Sequence, residues 1–497
     1  MNTNSEVERI VSHWLEDRAA EPPHGSLAAA LAQAEQVPQQ RRWLARWFGR
    51  GSQQAEASAT SGYDARRRVV PAASLAVACA AALAIMAVLA VPHQTTEPLV
   101  PVQPLTTSRV LSVAIDGGEY GSIGAAVAAA QDGDLIRVEP GTYEEWLVID
   151  KDITIEGTGN LPAEVVIQVP ADAPGPVVAL PPKHRDSSAP TLPDVVPVGV
   201  QLVDSEATMR HLHVLGQEDG IAVLVVGGAP TLEEMTLAHG GNLPTTVVLA
   251  GSLYVEDGSR AHVNDVDLWH RVRIGSGSAP TFTESHLKSV HVDIQAGAAP
   301  VFHDSTVSGD CGCSDVVVHG DSTGTFTENK FNVARLHVRG DPAVDSEPVR
   351  IEDNRFYYSQ ADALSVLAGA AAVIVGNDFT GNQQGIYVNQ AAADVRDNSF
   401  SSNWNGITLS DADGQVLDNV FRGGEYAVSV AIGGGPVIRG NDITKAASRG
   451  IFAADGTSPT IEGNSICGSK HNLLIAPESE AVIGDNDVCP DGVEAPD

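Results

Sequence analysis

Aromatic residues supply only 5% of this 497-residue chain and charged residues 19%, while glycine occurs 48 times. That scarcity argues against long amphipathic helices and for a chain that turns tightly and often. Basic residues are the scarcer charges, with 30 Lys and Arg against 63 Asp and Glu, a net charge of −33. Nine Arg and eight acidic residues fall in residues 1–68, so 21 basic and 55 acidic residues, about −34, follow them. An acidic surface of this strength excludes DNA or RNA phosphate as a partner, and solubility is its simplest explanation. It fits saline surroundings as well as it fits calcium, the one cofactor the composition suggests.

One long apolar run is present. Val69–Val91 carries no charge anywhere along its length, and it is long enough to cross a hydrocarbon core with some tilt. Arg66, Arg67 and Arg68 precede it, and no Lys or Arg follows until Arg109. The positive-inside rule then places the N-terminus in the cytoplasm and the C-terminal part outside. The head before the run is too long for an ordinary signal peptide, although the small residues Ala87 and Ala90 also suit late cleavage. The spacing therefore predicts a cytoplasmic helical head (1–68), a transmembrane helix (69–91), a Pro/Thr-rich spacer (92–108) and an extracytoplasmic domain (109–491) in the cell membrane. Within the head, Val7, Ile10, Val11 and Trp14 share one helical face, and "RRWLARWF" suggests a second helix. This head weakly resembles those of actinobacterial single-pass membrane proteins, including anti-sigma factors, but lacks the His and Cys ligands of the zinc-binding kind.

The outer domain repeats. "TFTENKF", "RIEDNRF", "VIVGNDF", "DVRDNSF", "QVLDNVF", "VIRGNDI", "TIEGNSI" and "AVIGDNDV" align on Asn329, Asn354, Asn377, Asn398, Asn419, Asn441, Asn464 and Asn486. The interval from one to the next stays in the low to middle twenties. Weaker copies centre on Ser305, Ser285, Val266, Met235 and Leu212. Such a period, with short apolar strands and Gly/Asn/Asp turns, is the mark of a solenoid. Asn at a tight bend tolerates a left-handed backbone, and its amide can bond to the Asn of the next coil. The row is read as an internal ladder without catalytic meaning.

Ahead of the repeats, "DGGEYGSIGAAVAAAQDGDLIRVEPGTYEEWLVIDKDITIEG" places Ile123, Ala126, Val127 and Ala130 on one helical stripe, followed by short strands. With Gly133, Asp134, Pro140, Gly141, Thr142, Tyr143, Glu145 and Lys151, this stretch resembles the opening of pectin-lyase-like, right-handed parallel β-helix proteins. The resemblance covers roughly residues 110–490 and implies an all-β solenoid with an N-terminal capping helix. It implies no activity: the "NTD", "DD" and "GHG" motifs of polygalacturonases and the "RxPxxR" motif of pectate lyases are missing.

Cys467 and Cys489 each follow a ladder Asn by three residues. They therefore stand on neighbouring coils within disulfide reach, and a bond between them is expected. Cys311 and Cys313 could pair, bind a metal or stay reduced, while Cys79 lies inside the apolar span. Residues 160–197, rich in Pro, read as a loop leaving an early coil and able to wall a groove.

One stretch of the acidic domain is rich in His and Arg. Registering "HRVRIG", "VHVDIQ" and "DVVVHG" by their markers points Val272, Val292 and Val316 inward. Arg271, His291 and Asp315 then stack on the outer face, with Arg273 and Asp293 in the next outward row. Arg335, His337 and Arg339 alternate in the same way on the following coil. The candidate ligand-binding residues are therefore Arg271, Arg273, His291, Asp293, Asp315, His337 and Arg339. Such a row suits an extended acidic polysaccharide, and equally a solvated face of cross-strand ion pairs. His211 and His213 read as surface residues. The functional expectation is binding or scaffolding of an envelope or extracellular polysaccharide. Two readings stand beside it: a lyase or C5-epimerase acting on uronate polymers through an Arg, His or Asp, and a sensor signalling through the head.

Overall fold

A computed structural model of the chain describes residues 108–170, 175–179, 195–239, 251–309, 314–340 and 347–491. The head expected to be cytoplasmic, the apolar span with Cys79, and all but the last residue of the expected spacer lie outside the described residues, as do Cys311 and Cys313. Among the described residues, no helix is long and apolar enough to cross a membrane.

Short strands set the architecture. Most carry only three to six residues, and their side chains alternate between buried and outward positions, as in Thr325–Thr327 or Gly141–Glu144. A strand that short cannot bury its own apolar face. Stacking each coil on the last removes it from water along one continuous core. Three parallel ladders result. The first runs from Val110–Val113 through Thr281–Thr283 to Val482–Ile483. The second runs from Gly141–Glu144 through Lys330–Asn332 to Asp487–Val488. The third runs from Leu147–Ile149 through Ser314–His319 to His471–Ile475.

Columns of side chains hold the coils in register. The Asn ladder is the first. Asn377 Oδ1 accepts from the backbone N–H of Asn354 at 2.8 Å and from its side-chain amide at 3.0 Å. The same pair of bonds recurs from Asn329 through to Asn486. Upstream, hydroxyls replace the amides: Ser305 N–H donates to Asn329, Ser285 N–H to Ser305, and Val266 N–H to Ser285. The left-handed backbone expected at each Asn falls one residue earlier, at Asp353, Gly376, Asp397, Asp418, Gly440 and Gly463. The preceding residue turns the corner at the surface, which leaves Asn free to point inward and bond. Phenylalanine forms the second column. Phe331, Phe356, Phe379, Phe400 and Phe421 stack nearly parallel, with centroids 4.5 to 4.9 Å apart.

The opening motif is explained by helix α1 (Ile123–Ala129), whose Ile123, Ala126 and Val127 are buried. Glu145 accepts from the N–H groups of Ile123 and Gly124, both at 2.8 Å. Lys151 Nζ donates to the carbonyls of Val127 and Ala130 at 2.8 and 2.9 Å. These two side chains satisfy donors at one end of the helix and acceptors at the other. Asp134 is buried against Arg109, whose hydrogen bond holds its carboxyl down at about 2. At the far end, Cys467 and Cys489 form a disulfide with Cα atoms 5.0 Å apart.

The loop expected over 160–197 begins later than the composition suggests. Val165–Gln168 is an ordinary rung of the second ladder, because its alternate residues Val165 and Ile167 fill the core. Val177–Ala179 then folds back antiparallel on Val195–Val203.

Candidate functional site

The His- and Arg-rich stretch lies on the outer face of the third ladder. Arg271 stands beside His291, His291 beside Asp315, and Asp315 beside Arg335. Val272, Val292 and Val316 between these rows are fully buried. In the next row Arg273 is level with Asp293, but Val317 follows and interrupts the charges before His337. Arg339 is level with His319 in a third row and is exposed. The structure thus gathers Arg271, Arg273, His291, Asp293, Asp315, His337 and Arg339 side by side. Arg273 and Asp293, expected in an outward row, are however buried, because Glu256 and the Tyr254 ring pack against Arg273 and His319 against Asp293.

Two members of the cluster were not among the candidates. Arg335 grips Asp315 with both arms of its guanidinium, at 2.5 and 2.9 Å. His319 Nε2 lies 3.1 Å from Asp293. The strand Ala334–Arg339 pairs cleanly on both sides, so one coil step from Asp315 leads to Arg335. Asp315 follows its marker Ser305 by ten residues and Arg335 follows Asn329 by six, which hides that step in the sequence.

Most charges in the cluster are paired. Arg273 is 3.3 Å from Glu256 and lies over the Tyr254 ring at 6.0 Å. His337 sits 3.7 Å from Asp315 through Nε2 and hydrogen-bonds Ser365 through Nδ1 at 3.2 Å. Burial alone would raise the Asp315 carboxyl, but hydrogen bonds from His337 and Arg335 outweigh it and keep the group ionised. Burial lowers the His291 imidazole, and the neighbouring Arg271 lowers it further. Burial raises Glu256 despite Arg273 beside it. The result is a surface of fixed, oriented charges in which four guanidinium groups stand against three carboxylates.

One end of the row is walled. Leu224 and Tyr254 occupy outward positions of the third ladder, yet they are buried with Val196, Val198 and Ile221 in a second small cluster. Farther back, His239 and His270 lie with ring centroids 3.8 Å apart. Burial and then His270 push the His239 imidazole down to about 4. His211, read as a surface residue, is half-buried, with Nε2 3.0 Å from the Gly159 carbonyl. His213 is half-buried as well. Among the described residues, no group of three or more His, Cys, Asp or Glu is arranged to hold a metal ion.

No curated protein matches the chain. Residues 337–487 match a family model described as a right handed beta helix region. Similar solved structures include tailspike protein 3 of bacteriophage CBA120, at 12% identity over 74% of this chain and 58% of that one, with a TM-score of 0.45. The catalytic unit of a thermostable α-1,3-glucanase from Streptomyces thermodiastaticus is 13% identical over 80% of this chain and 71% of that one, with a TM-score of 0.37. The A-module of a mannuronan C-5 epimerase from Azotobacter vinelandii is 14% identical over 74% and 93%, with a TM-score of 0.36. At that identity the likeness is one of architecture. The three parallel ladders, the stacked coils and the family match over their C-terminal part make the described body of this chain a right-handed parallel β-helix.

Proposed function

We propose that this chain is a membrane-anchored, extracytoplasmic β-helix that binds or scaffolds an acidic polysaccharide of the envelope or its surroundings. One observation carries the reading: on a domain of about −34, the outer face of the third ladder gathers more guanidinium groups than carboxylates. Arg271, His291, Asp315 and Arg335 line up across four coils, a span of about 14 Å, along which an extended polymer can lie. Guanidinium groups bind carboxylates through paired hydrogen bonds, and the existing ion pairs hold them in position beforehand. The anchor rests on the charge-free run Val69–Val91 behind Arg66, Arg67 and Arg68. Two of the similar structures are named for enzymes acting on polysaccharides; the row, not those names, supports the reading.

The test is binding of the full chain to polygalacturonate and alginate. The variant carrying Arg271→Ala, Arg273→Ala and His291→Ala is expected to lose most of the affinity. Equal binding by parent and variant would remove the row from consideration. A second reading, uronate lyase or C5-epimerase, is favoured by the neutral His291 between Arg271 and Asp315. A neutral imidazole can take a sugar C5 proton while an Arg offsets the uronate charge. Unsaturated or epimerised products on incubation with the same polymers would establish it.

A further inference from the structure

A second surface begins on the coil next to Arg335 and His337, at the corner where the second ladder passes into the third. Tyr358 and Trp404 are 62% and 60% exposed there, although large aromatic rings are ordinarily hidden in a solenoid this well packed. They stand two coils apart, about 10 Å, at either side of a trough of about 900 Å³. Gln360 and Gln383 line it with exposed amides, and Ser402 with an exposed hydroxyl. Gly381, at φ +67°, lets the Tyr358 ring lie close over the backbone; a Cβ there would meet the ring at 3.0 Å.

The trough is rigid. Asn382 donates from its side chain to Asn403 at 2.9 Å and to the Phe356 carbonyl at 3.0 Å, and Asn403 donates to the Phe379 carbonyl at 2.8 Å. The Trp404 backbone N–H donates to the Asn382 carbonyl at 2.8 Å. The residue carrying the ring is therefore pinned directly and through its neighbour.

The trough also carries a single charge. Of the adjoining strands, Asp362–Leu367 carries only Asp362, and Gln384–Asn389, Asn405–Ser410 and Tyr426–Ile432 contain no Asp, Glu, Lys or Arg. Glu425 supplies the one charge of the lining and repels anions. Flat exposed rings, fixed amides and no cation match the apolar faces and hydroxyl edges of an uncharged sugar.

We infer that this corner is a binding site for a neutral saccharide, which stacks on Trp404 and Tyr358 and hydrogen-bonds Gln360 and Gln383. It is a different surface from the charged row and does not rest on the reading of that row.

The test is affinity electrophoresis of the full chain through a panel of neutral polymers, including β-1,3-glucan, β-1,4-glucan, α-mannan and galactan, with polygalacturonate run separately. At least one neutral polymer is expected to retard the parent. Trp404→Ala and Tyr358→Ala should each weaken that retardation about tenfold, while Trp404→Phe keeps most of it. The variant with Arg271, Arg273 and His291 replaced by Ala should behave as the parent on the neutral polymer, which separates this site from the row. Absence of binding to every neutral polymer, or equal binding by parent and Trp404→Ala, would overturn the inference. So would retardation lost only in the charged-row variant.

Discussion

At the scale of single residues, the ladder Asn side chains concentrate hydrogen bonding in the buried corners of the described coils. Asn398 accepts twice from Asn377 and donates to the Ile374 and Arg396 carbonyls and to Asn419. Replacing it with Ala strands buried partners on both neighbouring coils, at a cost on the order of 2–3 kcal/mol. The same change at Asn486, on the last coil and less buried, should cost distinctly less. Denaturant midpoints of the two variants compare them, and equal losses would contradict the ladder account. Histidines supply a second residue-scale expectation. Burial holds His213, His239, His270 and His291 below their usual value, His239 down to about 4. Their neutral forms are favoured in the folded state, so stability is complete above about pH 6.5 and falls as pH drops toward 4. Thermal melts across that window should show the fall, and His239→Gln should reduce it.

At the scale of elements, each end of the coil has its own fastening. Glu145 and Lys151 hold helix α1 at the first coils, and the Cys467–Cys489 bond holds the last. The bond joins residues 22 apart, a loop for which a chain-entropy estimate gives about 3 kcal/mol. Cys467→Ser with Cys489→Ser should therefore speed hydrogen exchange over His471–Val488 and leave the Phe331–Phe421 region unchanged. Uniform acceleration along the chain would show that the end coil does not fray on its own. The stacked phenylalanines are the element-scale feature that the sequence displayed without declaring: the Phe of "ENKF" and "DNRF" recurs with the Asn, but its stacking needs coil geometry to be seen.

At the scale of the whole molecule, the acidic surface sets a salt dependence. Added salt screens the self-repulsion of about −34 charges, so the unfolding temperature of the β-helix should rise between low and moderate ionic strength. No change would mean that local ion pairs such as Arg335–Asp315 already offset it. The coil was legible because the Asn recurs at a nearly constant interval and marks each corner. The rows Arg271–His291–Asp315 and Arg273–Asp293 were legible for the same reason, since a fixed period converts spacing into register. Arg335 and His319 were harder to place, because the distance from marker to row changes from ten residues at Asp315 to six at Arg335 and His319 sits at a strand end. The trough at Tyr358 and Trp404 was not legible at all. It depends on which corner residues point outward, and that follows from the positive φ of Tyr358 and Ser402, which no spacing reveals.

The central claim is that an acidic polymer lies along the charged row. Covalent footprinting of the full chain, with and without saturating polygalacturonate, tests it most directly. Protection at His291, His319 and His337 with Trp404 and Tyr358 unchanged is the expected result. Protection confined to Trp404 and Tyr358, or to neither group, would contradict it.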